Sequence, residues 1–277
     1  MTYNAYETGV ASSRPVELYE FNYGTNYYRY TSAVEPVVKS GNTYLPFPIG
    51  RGATNSSSEN AQSTVTVTAA GNISVADLFR VQPPSGVVTL TVFARQLDDP
   101  DAQFVVIWMG RVLGTVWKAG EVEFTCEPVD VSLNRNGLAR KYQKACPLVL
   151  YGSRCGVNAN SFKVTIPAGN WTLTGAILSV PSLVGYAAGY FAGGYIEYEN
   201  IVTGIAEVRS IRWSEAGNLE IPLVPRGLEN APEIRIFPGC DHTTGANGCL
   251  KFGNMPNYGG QPYIPDKTPF GGTQLFL

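Results

Sequence analysis

The chain has 277 residues, enough for two domains and for a core that needs neither disulfides nor metal to hold it. Charged residues make up 15% and the formal net charge is −2, which excludes a broadly basic nucleic-acid binder and a charge-rich disordered chain. With Gly 30, Pro 19 and Tyr 16 the composition is that of strands and turns, and a surface so poor in charge suits a subunit covered by neighbours.

Met1 to Glu7 lack the basic start and apolar run of a signal peptide, so the chain is expected to mature in a reducing cytoplasm. The glycosylation tripeptides at Asn55, Asn72 and Asn170 are then coincidental. Val16–Tyr23 reads as a strand, Gly24–Asn26 as a turn and Tyr27–Thr31 as the returning strand. A second hairpin joins Val37–Lys39 to Thr43–Phe47 through Ser40, Gly41 and Asn42. Gly52–Ser63 is a polar loop, and Thr64–Thr68 and Val87–Ala94 are strands, with a short helix over Val75–Phe79. Phe104–Trp108, Val112–Trp117 and Glu121–Cys126, separated by Gly110 and Gly120, form an antiparallel meander that ends the first domain near Pro128.

The second domain, 129–277, begins with a short basic helix over Leu138–Lys144. Its strands are Phe162–Ile166, Trp171–Leu178, Gly194–Tyr198, Ile205–Trp213, Leu219–Val224 and Glu233–Phe237, with Glu215–Asn218 as the clearest turn. From Phe252 the tail is rich in Gly, Pro and Asn and reads as extended. Val164–Ile196 carries no charge, and Gly185, Gly189 and Gly193 have small-xxx-small spacing, but Pro181 and the polar residues argue for buried strands over a membrane helix.

Cys146 and Cys155 form one pair, Cys240 and Cys249 another, and eight residues separate the members of each. A whole β domain lies between the pairs, so the sulfurs meet only if its ends converge. Structural zinc sites have shorter knuckles, and disulfides fit a secreted module. An iron–sulfur cluster also takes four thiolates, and its bulk suits wide loops in which Gly156, Gly239 and Gly248 let backbone amides approach sulfur. His242, the only histidine, stands two residues from Cys240 and could replace a ligand, but reads better as a turn residue, and Cys126 as a packed core residue.

Other chemistry finds little support. One histidine excludes ordinary His-based zinc enzymes and argues against a serine triad, and there is no phosphate-binding glycine loop. Asp98, Asp99 and Asp101 fit an aspartate-rich turn better than a calcium site. Arg135, Arg140, Lys141, Lys144 and Arg154 form a basic run suited to DNA, to the charge of a cluster, or to solvent. Trp108, Trp117, Trp171 and Trp213 are expected in strands as core residues.

Several fragments resemble the baseplate hub, or tail-tip, proteins of long-tailed phages and gene transfer agents, related to tail-tip protein L of phage lambda. They are Tyr142-Gln143, Cys146-Pro147, Leu150-Tyr151, Cys155-Gly156-Val157, Gly239-Cys240-Asp241, Cys249 and the run from Phe252 to Pro265. Arg51, Glu59 and Trp108-Met109-Gly110 add to the likeness, whereas Tyr258 stands where that family has phenylalanine. The resemblance implies a structural protein of the virion tail tip, not an enzyme, assembled in the host bacterial cytoplasm. It implies a homotrimeric ring joining the tail tube to a central fibre, with distal tail protein, central fibre protein and tape measure protein as partners. DNA would pass without sequence-specific binding, and no membrane span is expected. It further implies a [4Fe–4S] cluster on Cys146, Cys155, Cys240 and Cys249, with zinc as the alternative metal. The expected architecture is mainly β: two β-barrel-like domains with short helices, the second closed by the four-cysteine site and an extended tail. The competing reading is a carbohydrate- or receptor-binding β module with zinc or disulfides.

Overall fold

A computed structural model describes residues 2–9, 13–53, 64–129, 131, 142–222 and 225–265. The chain divides into two compact units, Met1–Arg135 and Asn136–Leu277.

The first unit opens with a short helix, α1 (Thr2–Glu7), and then forms a nine-stranded sheet. In chain order its strands are β1 (Pro15–Tyr23), β2 (Asn26–Thr31), β3 (Val37–Lys39), β4 (Asn42–Pro46) and β5 (Ile49–Arg51). There follow β6 (Val65–Ala70), β7 (Val88–Gln96), β8 (Val105–Lys118) and β9 (Glu121–Pro128). The spatial order is β3-β4-β2-β1-β7-β8-β9-β6-β5, antiparallel except for the β2–β4 pair. The sheet is not closed into a barrel: it runs from β3 at one edge to β5 at the other, each of three residues. Alternation places Phe21, Leu90, Val92 and Phe124 on one face with no exposed surface, and after a phase change at Leu18-Tyr19 the other face buries Leu18 with Val16, Val37, Tyr44 and Phe93. Each such side chain contributes about 1.5–3 kcal/mol by leaving water.

The expected break at Gly110 is absent, and β8 runs through it. Gly110 is there for a different reason: a Cβ would overlap the Glu127 carbonyl oxygen and the Trp108 ring. The irregularity lies instead between Val112 and Gly114, where the pairing with β9 shifts by a bulge. The helix expected over 75–79 is a 3-10 turn, Ser74–Phe79. Residues 54–63 of the polar loop lie outside the described residues.

The second unit holds two four-stranded antiparallel sheets, and neither closes into a barrel. One contains β10 (Val164–Pro167), β13 (Tyr195–Asn200), β14 (Ile205–Ser210) and β17 (Glu233–Phe237) in the order β10-β17-β13-β14. The other contains β11 (Thr172–Thr174), β12 (Ile177–Ser179), β15 (Trp213–Glu215) and β16 (Asn218–Glu220) in the order β11-β12-β16-β15. Ile166, Ile196, Tyr198, Ile234 and Ile236 of the first and Leu178 and Leu219 of the second share one core.

Two expected strands prove to be divided. Trp171–Leu178 is a hairpin turning at Gly175, whose φ of +61° suits glycine, and Ile205–Trp213 contributes to both sheets. The turn at 215–218 is a two-residue hairpin with Ala216 and Gly217 both at positive φ. Trp171 precedes β11 and packs partly buried against the core, and Trp213 is exposed on β15, so neither is the fully buried strand residue expected. The tail is not extended throughout: Cys249–Phe252 and Met255–Asn257 are 3-10 turns. The helix expected over 138–144 falls largely outside the described residues, as do the tail beyond 265 and residues 223–224. No helix among the described residues is long and apolar enough to cross a membrane.

Candidate metal centre

The second unit brings its two cysteine pairs together through three chain segments. The Cys146 amide donates to the His242 carbonyl at 2.9 Å, and the Gln261 amide donates to the Gln143 carbonyl at 2.9 Å. The Tyr258 hydroxyl donates to the Lys144 carbonyl at 2.6 Å and lies 3.2 Å from the His242 carbonyl. The Gly259 amide then points at the Cys146 sulfur, 3.4 Å away. Gly260 is packed so closely on the Lys144 carbonyl that a Cβ would overlap it.

Cys155 is positioned by a tight turn in which the Gly156 amide reaches the Gly152 carbonyl at 2.9 Å, with Gly156 at φ +73°. The Asn254 side-chain amide donates to the Cys155 carbonyl at 2.7 Å and stands 3.7 Å from its sulfur. Asn257 holds that amide in place by donating to its oxygen at 2.9 Å. The Asn254 backbone amide donates to the Cys249 carbonyl at 3.1 Å, so one residue ties a cysteine from each pair.

Cys240 follows β17 directly, and its sulfur accepts from the His242 amide at 3.3 Å. His242 has φ +61°, a strained turn position, and it acts here through its backbone. Asp241 caps the loop by accepting from the Thr243 amide and hydroxyl at 2.8 and 2.7 Å. The Cys249 amide closes it on the Thr243 carbonyl at 2.9 Å. Behind the loops, Tyr151 meets Tyr195, Phe237 and Phe252 edge to face, and its hydroxyl donates to the Pro238 carbonyl at 2.6 Å. The Lys251 ammonium donates to the Tyr190 carbonyl at 2.8 Å and lies over the Tyr190 and Phe252 rings.

Cys146, Cys155 and Cys249 are buried and Cys240 is half-buried. Burial pushes the Cys249 thiol up to about 11, reinforced by Cys240, Cys146, Cys155 and then Asp241, so the other three cysteines lie close enough to act on Cys249. Burial also raises the Cys240 thiol, against the His242 amide, which favours the thiolate. All five cysteines are free, so neither pair is a local disulfide. Among the described residues, no three His, Cys, Asp or Glu side chains are grouped so that they could hold a metal ion as they stand. N–H groups from His242, Asn254 and Gly259 lie 3.3, 3.7 and 3.4 Å from the sulfurs of Cys240, Cys155 and Cys146, the kind of donor that favours thiolate ligands.

Cys126 stands apart in β9 with no exposed surface, its thiol donating to the Phe124 carbonyl at 3.8 Å and raised by burial to about 12. Asp99 accepts from the amides of Asp101 and Gln103 at 3.1 and 3.2 Å, the bonding of a turn residue. Of the basic run, Lys144 is half-buried and Arg154 exposed, while Arg135, Arg140 and Lys141 lie outside the described residues. Arg51 pairs with Glu17 at 2.9 Å, and Glu59 lies outside the described residues. The supporting roles of Asn254, Asn257 and Lys251 were not read from the sequence, although all lie in or beside its quoted fragments.

Residues 22–158 match the family model described as baseplate hub protein, N-terminal attachment domain. Residues 189–268 match the model described as phage conserved hypothetical protein BR0599. An uncharacterized protein of Xylella fastidiosa (strain 9a5c) is 27% identical over 180 residues, which cover 60% of this chain and 37% of that protein. The chain thus spans well under half the length of that curated relative. A solved chain from the virion of a native gene transfer agent particle superposes with a TM-score of 0.70 at 20% identity, over 95% of this chain and 91% of that one. That likeness establishes a shared fold.

Proposed function

We propose that this chain, whose residues 22–158 match the baseplate hub attachment-domain model, is a baseplate hub protein of a phage-type tail, that it forms a homotrimeric ring joining the tail tube to a central fibre, and that each copy holds a [4Fe–4S] cluster. On that reading it is a structural protein of the virion tail tip rather than an enzyme, which the match to the hub model supports. Its proposed partners are the distal tail protein on the tube side, the central fibre protein on the other, and the tape measure protein within, with DNA passing unread. A three-fold closed ring matches a subunit with only 15% charged residues, because ring neighbours cover surface that would otherwise associate freely.

What supports the cluster reading is that hydrogen bonds tie the loops of Cys146, Cys155, Cys240 and Cys249 to one another and place N–H groups at three of their sulfurs. Amide donors lower the cost of thiolate charge, and four thiolates are the ligand set that such a cluster takes. When bound, the cluster supplies four iron–thiolate bonds that fasten both loops. The chain's own part is to present the sulfurs, shield them behind Tyr151 and Phe252, and place the Lys251 cation beside them.

Protein produced with iron and purified without oxygen should be brown and contain inorganic sulfide along with iron. Colourless protein with one zinc per chain under the same conditions would refute the cluster and leave the hub assignment standing. Mass measurement or imaging of intact tails tests the ring. Three copies are expected, and six would point to a distal-ring or tube protein instead.

A further inference from the structure

We propose that the cleft between β10 and β11 of the second unit binds a neutral saccharide of one or two rings. The cleft encloses about 690 Å³, within the range of small-ligand sites, and none of its lining residues is charged. A phosphate, nucleotide or carboxylate ligand would need a counter-charge or a converging set of amides there, so the lining selects a neutral ligand.

Its walls combine two kinds of group. Trp171 and Tyr186 offer flat apolar surface. Tyr186 is 37% exposed, yet its ring is fixed by Tyr190 and Phe191, each 4.9 Å away between centroids. Trp171 is held by packing against the core. Rigid aromatic rings of this kind present contact area at little entropic cost. Around them stand the hydroxyls of Thr165, Thr172 and Ser182 and the indole N–H of Trp171, and among the described residues none of these forms a hydrogen bond within the protein. Asn170 donates to the Pro167 carbonyl at 3.4 Å, which leaves its side-chain oxygen as an acceptor. Apolar faces beside free hydroxyl and N–H groups match a sugar ring, which has a C–H face and a rim of hydroxyls.

A peptide strand is the competing occupant, since β10 and β11 are both sheet edges. They make poor templates for one: β11 has three residues, β10 has four, and Pro167 offers no amide. The cleft shares no lining residue with the cysteine loops, so this inference stands apart from the metal reading.

The test is saturation-transfer NMR on the purified full chain. The probes are lactose, cellobiose and N,N′-diacetylchitobiose, with glucose 6-phosphate and a capped tetra-alanine peptide as comparisons. At least one disaccharide should saturate in the millimolar range, and the two comparison compounds should not. Thr165→Val, nearly isosteric, and Trp171→Phe, which keeps a packed ring, should each weaken binding roughly fivefold, the value of one ordinary hydrogen bond. Thr174→Val, outside the cleft, should leave it unchanged. Absence of saturation by all three disaccharides, equal binding of the peptide, or insensitivity to both cleft substitutions would overturn the proposal.

Discussion

Gly239, immediately before Cys240, faces Gly194 across a backbone contact that leaves no room for a side chain. A Cβ at Gly239 would overlap the Ala192 carbonyl oxygen, and one at Gly194 would overlap the Phe237 carbonyl oxygen and lie 2.7 Å from the Gly239 amide nitrogen. The obstacles are backbone atoms, so no rotamer change relieves them. Gly239→Ala must therefore push residues 192–194 away from β17. Those residues are themselves fixed, because the Gly193 amide donates to the Ile211 carbonyl at 2.9 Å and the Ile211 amide returns a bond to Gly194 at 2.8 Å. Overpacking of this kind costs about 1–3 kcal/mol, and straining one or two hydrogen bonds adds about 1 kcal/mol each. A total near 3 kcal/mol corresponds to a fall in melting temperature of roughly 6–12 °C for a unit of this size. Urea and thermal unfolding of the purified chain measure it, with Gly185→Ala as control, since a Cβ there meets nothing within 4 Å. Equal midpoints for wild type, Gly239→Ala and Gly185→Ala would show that the two backbones do not approach as described.

Three further outcomes are expected. Cys240→Ser should remove iron and sulfide from anaerobically purified protein while Cys126→Ala leaves both in place; the reverse result would refute the ligand assignment. Cys126 has a folded value of about 12 against an ordinary 9.0, so its neutral thiol stabilises the fold fully below pH 9 and progressively less as pH rises toward 12. The stability difference between wild type and Cys126→Ala should shrink by about 1.4 kcal/mol per pH unit above pH 9, and a constant difference in urea titrations across that range would contradict the burial of the thiol. Asn254→Asp replaces a donor by an acceptor opposite the Cys155 carbonyl, so it should cost about 1–3 kcal/mol and exceed the effect of Asn254→Ala. Faster labelling of Cys155 by a thiol reagent should accompany the loss, and indifference to either substitution would remove Asn254 from its positioning role.

Much of the fold was legible because period-2 alternation has a direct physical cause. In β1 buried and half-exposed residues alternate almost without exception, and the hairpin at 215–218 announced itself by a turn at Ala216-Gly217. What local pattern could not reveal was pairing. Gly110 looks like a punctuation mark until Trp108 and Glu127 are seen to occupy the space of its side chain. Ile205–Trp213 looks like one strand although its ends belong to different sheets. Barrel closure failed for a similar reason: whether a sheet closes depends on the number, tilt and stagger of its strands, which local sequence does not encode. At the cysteines, the four candidate residues were visible as residue types, whereas Asn254, Asn257 and Lys251 act through geometry that spacing does not encode.

The same geometry bears on what the cysteine site asks of the fold. Small metal domains that unfold without their ion have no other core to hold them. Here the unit that carries the cysteines has its own core, with Ile196, Leu178, Leu219, Ile234 and Ile236 almost wholly removed from water. The loops, too, are shaped by contacts that involve no sulfur: Tyr258 on the Lys144 carbonyl, Tyr151 on the Pro238 carbonyl, and Asp241 on Thr243. If a metal centre formed on these cysteines, the frame would already hold its loops, so less ordering entropy would oppose binding than in a chain that must fold around the metal. Such a centre would lie at the ends of the β structure, between the segment before β10 and the segment after β17. Its mechanical effect would then be local, fastening two loop regions nearly a hundred residues apart in sequence, where Cys155 and Asn254 already meet.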